Sequence, residues 1–148
     1  IPWPARTNEQ VKEAVEKVLK DIKFDNAGDY LNYVWEVKET GKVIGQGNLN
    51  YRSKEHKRAE VGWVINSKMQ GQGYATEATR ALINSAFVDH DFHRVIAYID
   101  IRNAESIKLA QRLNLRLEAT YQKDEWFKGE WTSAHLFAVL KDEWKSQI

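Results

Sequence analysis

The segment from Ala59 to Ile101 constrains this chain more than any other. Seven mostly apolar residues, Ala59–Ile65, lead into a loop, Asn66–Gly73, that ends in Gln70-Gly71-Gln72-Gly73. A helical pattern then runs from Tyr74 to about Val88, with Ala75, Ala78, Leu82, Ala86 and Phe87 near one face. Val95–Ile101 is a nearly continuous apolar run, the pattern of a buried strand. Strand, helix and strand in this order predict a right-handed crossover between parallel strands.

The flanks supply the rest of one sheet. Thr7, with Glu9 and Gln10 after it, opens a predicted helix whose apolar stripe is Val11, Val15, Val18 and Leu19. Asn26-Ala27-Gly28-Asp29 ends that unit. Tyr30–Lys38 and Val43–Tyr51 read as strands about a turn at Glu39-Thr40-Gly41-Lys42, followed by a charged loop, Arg52–Arg58. After the crossover come a second amphipathic helix, Asn103–Leu113, and strands Glu118–Phe127 and Ala134–Leu140 about a turn at Lys128-Gly129-Glu130. The expected class is α/β (α+β): a single mixed, mostly antiparallel sheet flanked by helices, in one domain over residues 1–148. The chain begins Ile1-Pro2-Trp3-Pro4 without an initiator Met, so we expect it to start partway into the natural protein, with an N-terminal strand or helix missing.

Composition excludes several functions. Twenty-two basic and 21 acidic residues give a net charge of +1, which argues for neither nucleic acid nor an anionic membrane as partner. The absence of cysteine excludes disulfides, thiolate metal sites and a cysteine nucleophile, and fits a cytoplasmic location. The four histidines carry no ligand spacing, so no metal is expected. No apolar run is long enough to span a bilayer.

The glycine turn is the first candidate site. Gly71 and Gly73 admit positive φ and close approach of a ligand to the backbone. The first amides of the following helix lack internal partners and, with the helix dipole, suit a pyrophosphate. Gln70 and Gln72 add neutral donors. A nucleotide P-loop would need Gly-Lys-Ser/Thr at its end, and a dinucleotide fingerprint a third glycine where Thr76 stands. On residues alone, the turn is either an anion site or a tight loop whose glycines serve only geometry.

The wider context resembles the GNAT acetyltransferases. Gln70-x-x-Gly73-x-Ala75 is similar to their Gln/Arg-x-x-Gly-x-Gly/Ala signature, preceded here by Glu60-Val61-Gly62-Trp63-Val64-Ile65. Asn103-x-x-Ser106-x-x-Leu109 and Arg112-Leu113-Asn114-Leu115 resemble the next motif. Leu117-Glu118-Ala119-Thr120 and Lys141-Asp142-Glu143-Trp144 resemble the RimJ/RimL branch, which acetylates protein N-termini. The resemblance implies a sheet splayed between the fourth and fifth family strands, here Ala59–Ile65 and Val95–Ile101, with acetyl-CoA in the gap and no metal. It implies cofactor contacts from Trp63, Val64, Ile65, Gln70, Gly71, Gln72, Gly73, Tyr74, Ala75, Asn103 and Ser106. A β-bulge that helps open the strand is expected at Gly62. The resemblance also admits a homodimer. Two positions depart from the pattern. Ala110 replaces the tyrosine acid of many members, and the branch's Ser106 takes its place. Asn114 replaces a glycine, where αL backbone still allows a helix C-cap.

The implied reaction is direct attack of an amine on the acetyl thioester, most simply by an N-terminal amine, whose pKa is about 7.7–8.0 against about 10.4 for lysine. Glu60 is the expected base and Ser106 the donor to the leaving thiolate. Glu118, Asp124, Glu125 and His135 are competing bases, and a backbone amide at Val64 or Ile65 is the expected oxyanion donor. Tyr121, Trp126, Phe127 and Trp131 either wall the acceptor side or pair across a hairpin. Acetylation of a small amine (an antibiotic, polyamine or amino acid) and a non-catalytic acyl-CoA sensor are the alternatives.

Overall fold

The computed structural model describes residues 7–10, 12–14 and 23–145. Residues 8–10 and 12–14 are helical. Thr7 Oγ1 accepts from the Gln10 amide at 3.2 Å and Gln10 Oε1 from the Thr7 amide at 3.0 Å, a reciprocal N-terminal cap. The stripe expected from Val11 to Leu19 lies outside the described residues.

Six strands form one sheet: β1 Tyr30–Val37, β2 Lys42–Ser53, β3 Arg58–Ile65, β4 Arg94–Asp100, β5 Arg116–Phe127 and β6 Glu130–Leu140. Their order across the sheet is β1-β2-β3-β4-β6-β5. All neighbours are antiparallel except β3 and β4, which run parallel on either side of α1, Tyr74–Val88. Helix α2 spans Ala104–Arg112, and a final short helix, α3, spans Lys141–Lys145. Leu82, Ile83, Ala86 and Phe87 of α1 and Leu109 and Ala110 of α2 share one core with Leu49, Val61, Val95 and Ile99 of the sheet.

Some ends differ from the sequence expectation. Strand β6 starts at Glu130 rather than Ala134, because Lys128 and Gly129 both take positive φ (48° and 84°) and close a two-residue hairpin that matches strand twist. Trp126 and Trp131 pair across it, ring centroids 5.4 Å apart and nearly perpendicular. Helix α3 was hidden in the tail; its Trp144 is buried against Phe87. Asn114 takes φ 54°, and the amides of Asn114 and Leu115 bond the carbonyls of Gln111 and Ala110, a Schellman C-cap without glycine.

The splay is present, but Gly62 carries no bulge. Pairing between β2 and β3 is unbroken from Tyr51↔Ala59 to Gly45↔Ile65. The gap opens because β3 and β4 pair only at Arg58↔Arg94, Ala59↔Val95 and Glu60↔Ile96. Beyond that point β3 stays with β2, and β4 stays with β6 as far as Asp100↔Ala134. Gly62 serves a different need: a Cβ there would collide with the Asn48 amide.

Gly45 fixes the far end of β3. A Cβ at this position would lie 2.6 Å from the Val64 carbonyl oxygen and 2.8 Å from the Trp35 ring. Neither neighbour can yield cheaply, since one is backbone and the other a core indole. Gly45→Ala is expected to lower stability by about 1–3 kcal/mol, read from the denaturant midpoint.

Candidate active site

The strand that borders the gap presents its backbone in alternation. The Asn66 amide bonds the Ile44 carbonyl at 2.8 Å. In an antiparallel ladder of this register, Val64 and Gly62 therefore also face β2, while Trp63 and Ile65 turn their N–H and C=O groups toward the gap. Of the two expected oxyanion donors, Val64 has its amide directed at Gln46, and Ile65 has the open one.

A large cavity of about 1310 Å³ runs from this edge to the glycine turn. Gly71 and Gly73 take φ +76° and +85°, and a Cβ on either would meet nothing within 4 Å. Their constraint is backbone conformation, with free space in front. Gly73 is the N-cap of α1 and offers no side-chain cap, and the first internal bond of the helix runs from the Glu77 amide to the Gly73 carbonyl. The amides of Tyr74, Ala75 and Thr76 thus lead the helix dipole into the cavity that these residues line. Arg80 and Arg112, which the sequence reading missed, border the same cavity.

A smaller cavity of about 290 Å³ lies where the strands part. Its polar lining includes Asn32, Gln46 and Asn48 from β1 and β2, Glu60 from β3, and Tyr98 and Asp100 from β4. Glu60 is largely buried, its side chain 18% exposed, and accepts from Arg52 Nε at 2.7 Å. Burial pushes its carboxyl above the usual carboxylate range; Arg52 opposes that shift and nearby Glu125 adds to it. Asp100 is held below its ordinary value by hydrogen bonds from Arg102. Burial raises the Tyr98 phenol, which keeps it protonated.

The two cavities meet at Trp63, Val64, Asn103 and Ser106, which line both. Asn103 caps α2, its Oδ1 accepting from the Ser106 amide at 3.1 Å. Ser106 Oγ accepts from Trp63 Nε1 at 3.2 Å, joining β3 to α2 across the gap.

A model described as an acetyltransferase (GNAT) domain matches residues 1–116. The chain belongs to the GNAT acetyltransferase family. It is 29% identical over 135 residues to an uncharacterized N-acetyltransferase, p20, of Bacillus licheniformis, covering 91% of this chain and 74% of that one. It is 26% identical over 142 residues to a ribosomal-protein-serine acetyltransferase of Escherichia coli, covering 96% and 78%. Its fold is similar to that of a spermidine N-acetyltransferase from Vibrio cholerae solved with CoA and spermine, with TM-score 0.81, 18% identity, and 97% and 80% of the chains covered. Of two further curated relatives the chain spans about half the length.

Measured on this GNAT frame, the expected cofactor residues converge on one cavity. Trp63, Val64, Ile65, Gln70, Gly71, Gly73, Tyr74, Ala75, Asn103 and Ser106 all line it. Gln72 does not: it stands exposed between two positive-φ glycines, outside the lining. The competing bases Glu118, Asp124, Glu125 and His135 line neither cavity, although Glu125 lies close enough to Glu60 to push its carboxyl upward. Glu118 is clamped by Arg94 and Arg116 and held down to about 2, a structural anion. His135 Nδ1 lies 2.8 Å from Thr120 Oγ1, outside either lining. Tyr121, Trp126, Phe127 and Trp131 line neither cavity; Trp126 and Trp131 pair across the hairpin, while Tyr121 packs on Tyr98, which lines the smaller cavity, ring centroids 5.8 Å apart. Asn32, Gln46 and Asn48 escaped the sequence reading because only strand register gathers them; their spacing carries no motif.

Removing the Arg52 guanidinium removes the charge that opposes burial at Glu60. Arg52→Gln is expected to raise the Glu60 pKa further, followed by carboxyl carbon NMR. The sign for stability follows: the unfolded chain releases its proton first, so stability falls as pH rises from the ordinary carboxylate value to the raised folded one. An unmoved titration would break the assigned pairing.

Proposed function

We propose that the protein transfers an acetyl group from acetyl-CoA to a protein N-terminal α-amine by direct attack. The observation that carries this reading is the junction itself. A cavity with an open helix N-terminus at one end meets, at Ser106, a second cavity that holds a half-buried carboxylate. The residues fit the cofactor: free space before Gly71 and Gly73 accommodates a pyrophosphate at the α1 amides, and the open backbone edge of Trp63 and Ile65 suits an amide-bearing arm. Acetyl-CoA supplies an activated acyl carbon with a thiolate leaving group.

The chain's own groups do the remaining work. Glu60, as the base, takes the proton that the attacking nitrogen sheds, directly or through a water. Its raised pKa brings it closer to that of an α-amine. The Ile65 amide faces the gap as donor to the carbonyl oxygen, and Ser106 donates to the sulfur as charge develops there. Holding both substrates in one wedge supplies proximity. A cytoplasmic setting, where acetyl-CoA and nascent N-termini coexist, belongs to the same reading; among the described residues no helix is long and apolar enough to cross a membrane.

Charge favours a peptide over a polyamine. Among the described residues, the carboxylates lining the smaller cavity are Glu60 and Asp100, and each already carries an arginine at 2.7 Å. The rest of the polar lining is largely amide, which suits the carbonyl and N–H groups beside an α-amine. A second ammonium finds no unpaired carboxylate there. The test is acetyl transfer from acetyl-CoA to short peptides with free N-termini, measured beside spermidine. Faster kcat/KM on peptides is expected; preference for spermidine overturns the acceptor assignment. Gly73→Asp is expected to abolish acetyl-CoA binding by calorimetry, since its carboxylate would meet the pyrophosphate, while the protein stays folded. Glu60→Gln is expected to lower kcat by about 100-fold, the scale of general-base catalysis, with acetyl-CoA affinity retained.

A further inference from the structure

The bond between Trp63 and Ser106 is not required by any step above. An indole N–H only donates, so the direction of this bond is fixed: Nε1 gives and Oγ accepts, at 3.2 Å and across 43 sequence positions. A hydroxyl has one hydrogen and two lone pairs. With one lone pair taken by the indole, the hydrogen of Ser106 is driven away from Trp63. Both residues line the junction of the cavities, so the space that remains for this hydrogen includes the junction.

Resting on the transferase reading, we propose that Trp63 is the positioning residue for Ser106: its indole N–H aims the serine hydroxyl at the leaving sulfur and strengthens it as a donor. In the transfer the N–C bond forms and the C–S bond breaks, with its electron pair passing to sulfur. The proton of the attacking amine goes to Glu60. Ser106 keeps its proton and lends a hydrogen bond, since a thiol of pKa near 8.5 is far more acidic than an alcohol and needs no full transfer. A donor on Oγ polarises the O–H outward, and chains of hydrogen bonds reinforce one another in this way. The indole ring packs on the sheet core, which fixes where its N–H points.

A half-buried indole also seeks a partner simply to satisfy its N–H, and the experiment separates that role from positioning. Trp63→Phe keeps the ring and removes the donor. With saturating acetyl-CoA and peptide, kcat is expected to fall about fivefold, the rate equivalent of one neutral hydrogen bond, while acetyl-CoA affinity by calorimetry stays within a factor of two or so. In a Ser106→Ala background the same substitution is expected to leave kcat unchanged. An equal loss in both backgrounds, or a loss confined to affinity, overturns the proposal. A second measurement needs no activity: in Ser106→Ala the Trp63 indole N–H resonance should shift upfield and exchange faster, and an unmoved resonance overturns the bond itself. No turnover of any amine by the unaltered protein sinks the transferase reading and this inference together. Normal turnover with an undiminished Trp63→Phe sinks only the inference.

Discussion

The parallel ladder between β3 and β4 ends at Glu60 and Ile96, while each strand keeps its antiparallel neighbour for another four or five residues. Every feature of the site depends on that early parting. The sheet behaves as two half-sheets joined at one edge, and backbone groups that a closed sheet would pair are left facing a wedge. Unpaired backbone inside a protein is costly, so a gap of this kind persists only where something else meets those groups. Trp63, reaching across to Ser106, is the described side-chain bridge over it.

Electrostatics then divides the carboxylates into two kinds. Glu118 and Glu143 serve the frame. Glu118 takes Arg94 and Arg116, and Glu143 takes Arg116 and the Leu140 amide, tying β4, β5 and the last helix together. Their pKa values fall because the anion is what the neighbours hold. Glu60 is the opposite case. It has one arginine, yet burial outweighs it and the carboxyl moves upward. A carboxyl with raised proton affinity suits proton exchange better than a clamped anion such as Glu118.

Much of this was legible in the sequence, and unevenly so. Helix α1 begins at Tyr74 and ends at Val88 as its pattern predicts, because glycine punctuation and a 3.6-residue period agree there. The glycine turn was readable for the same reason: its physics is local. The expected bulge at Gly62 was wrong because a glycine in a strand signals close approach as readily as irregular backbone, and here the approaching group is Asn48. Neither the amide lining at Asn32, Gln46 and Asn48 nor the bond from Trp63 to Ser106 had a local signature. Both arise from pairing between segments distant in sequence, which periodicity does not encode.

The missing cap on α1 has a consequence for the whole chain. Serine, threonine, aspartate and asparagine are the usual N-caps, but Gly73 offers no side-chain oxygen to the first amides of this helix. An anion that settles there completes the helix as a serine or aspartate would elsewhere. Because α1 packs Leu82, Ile83 and Phe87 into the central core, the finished helix end and the folded core are thermodynamically linked. On the proposed function, occupancy of the turn would therefore enter the folding equilibrium by mass action. The concentration of such a ligand would then be one of the variables that set how much of the protein is folded.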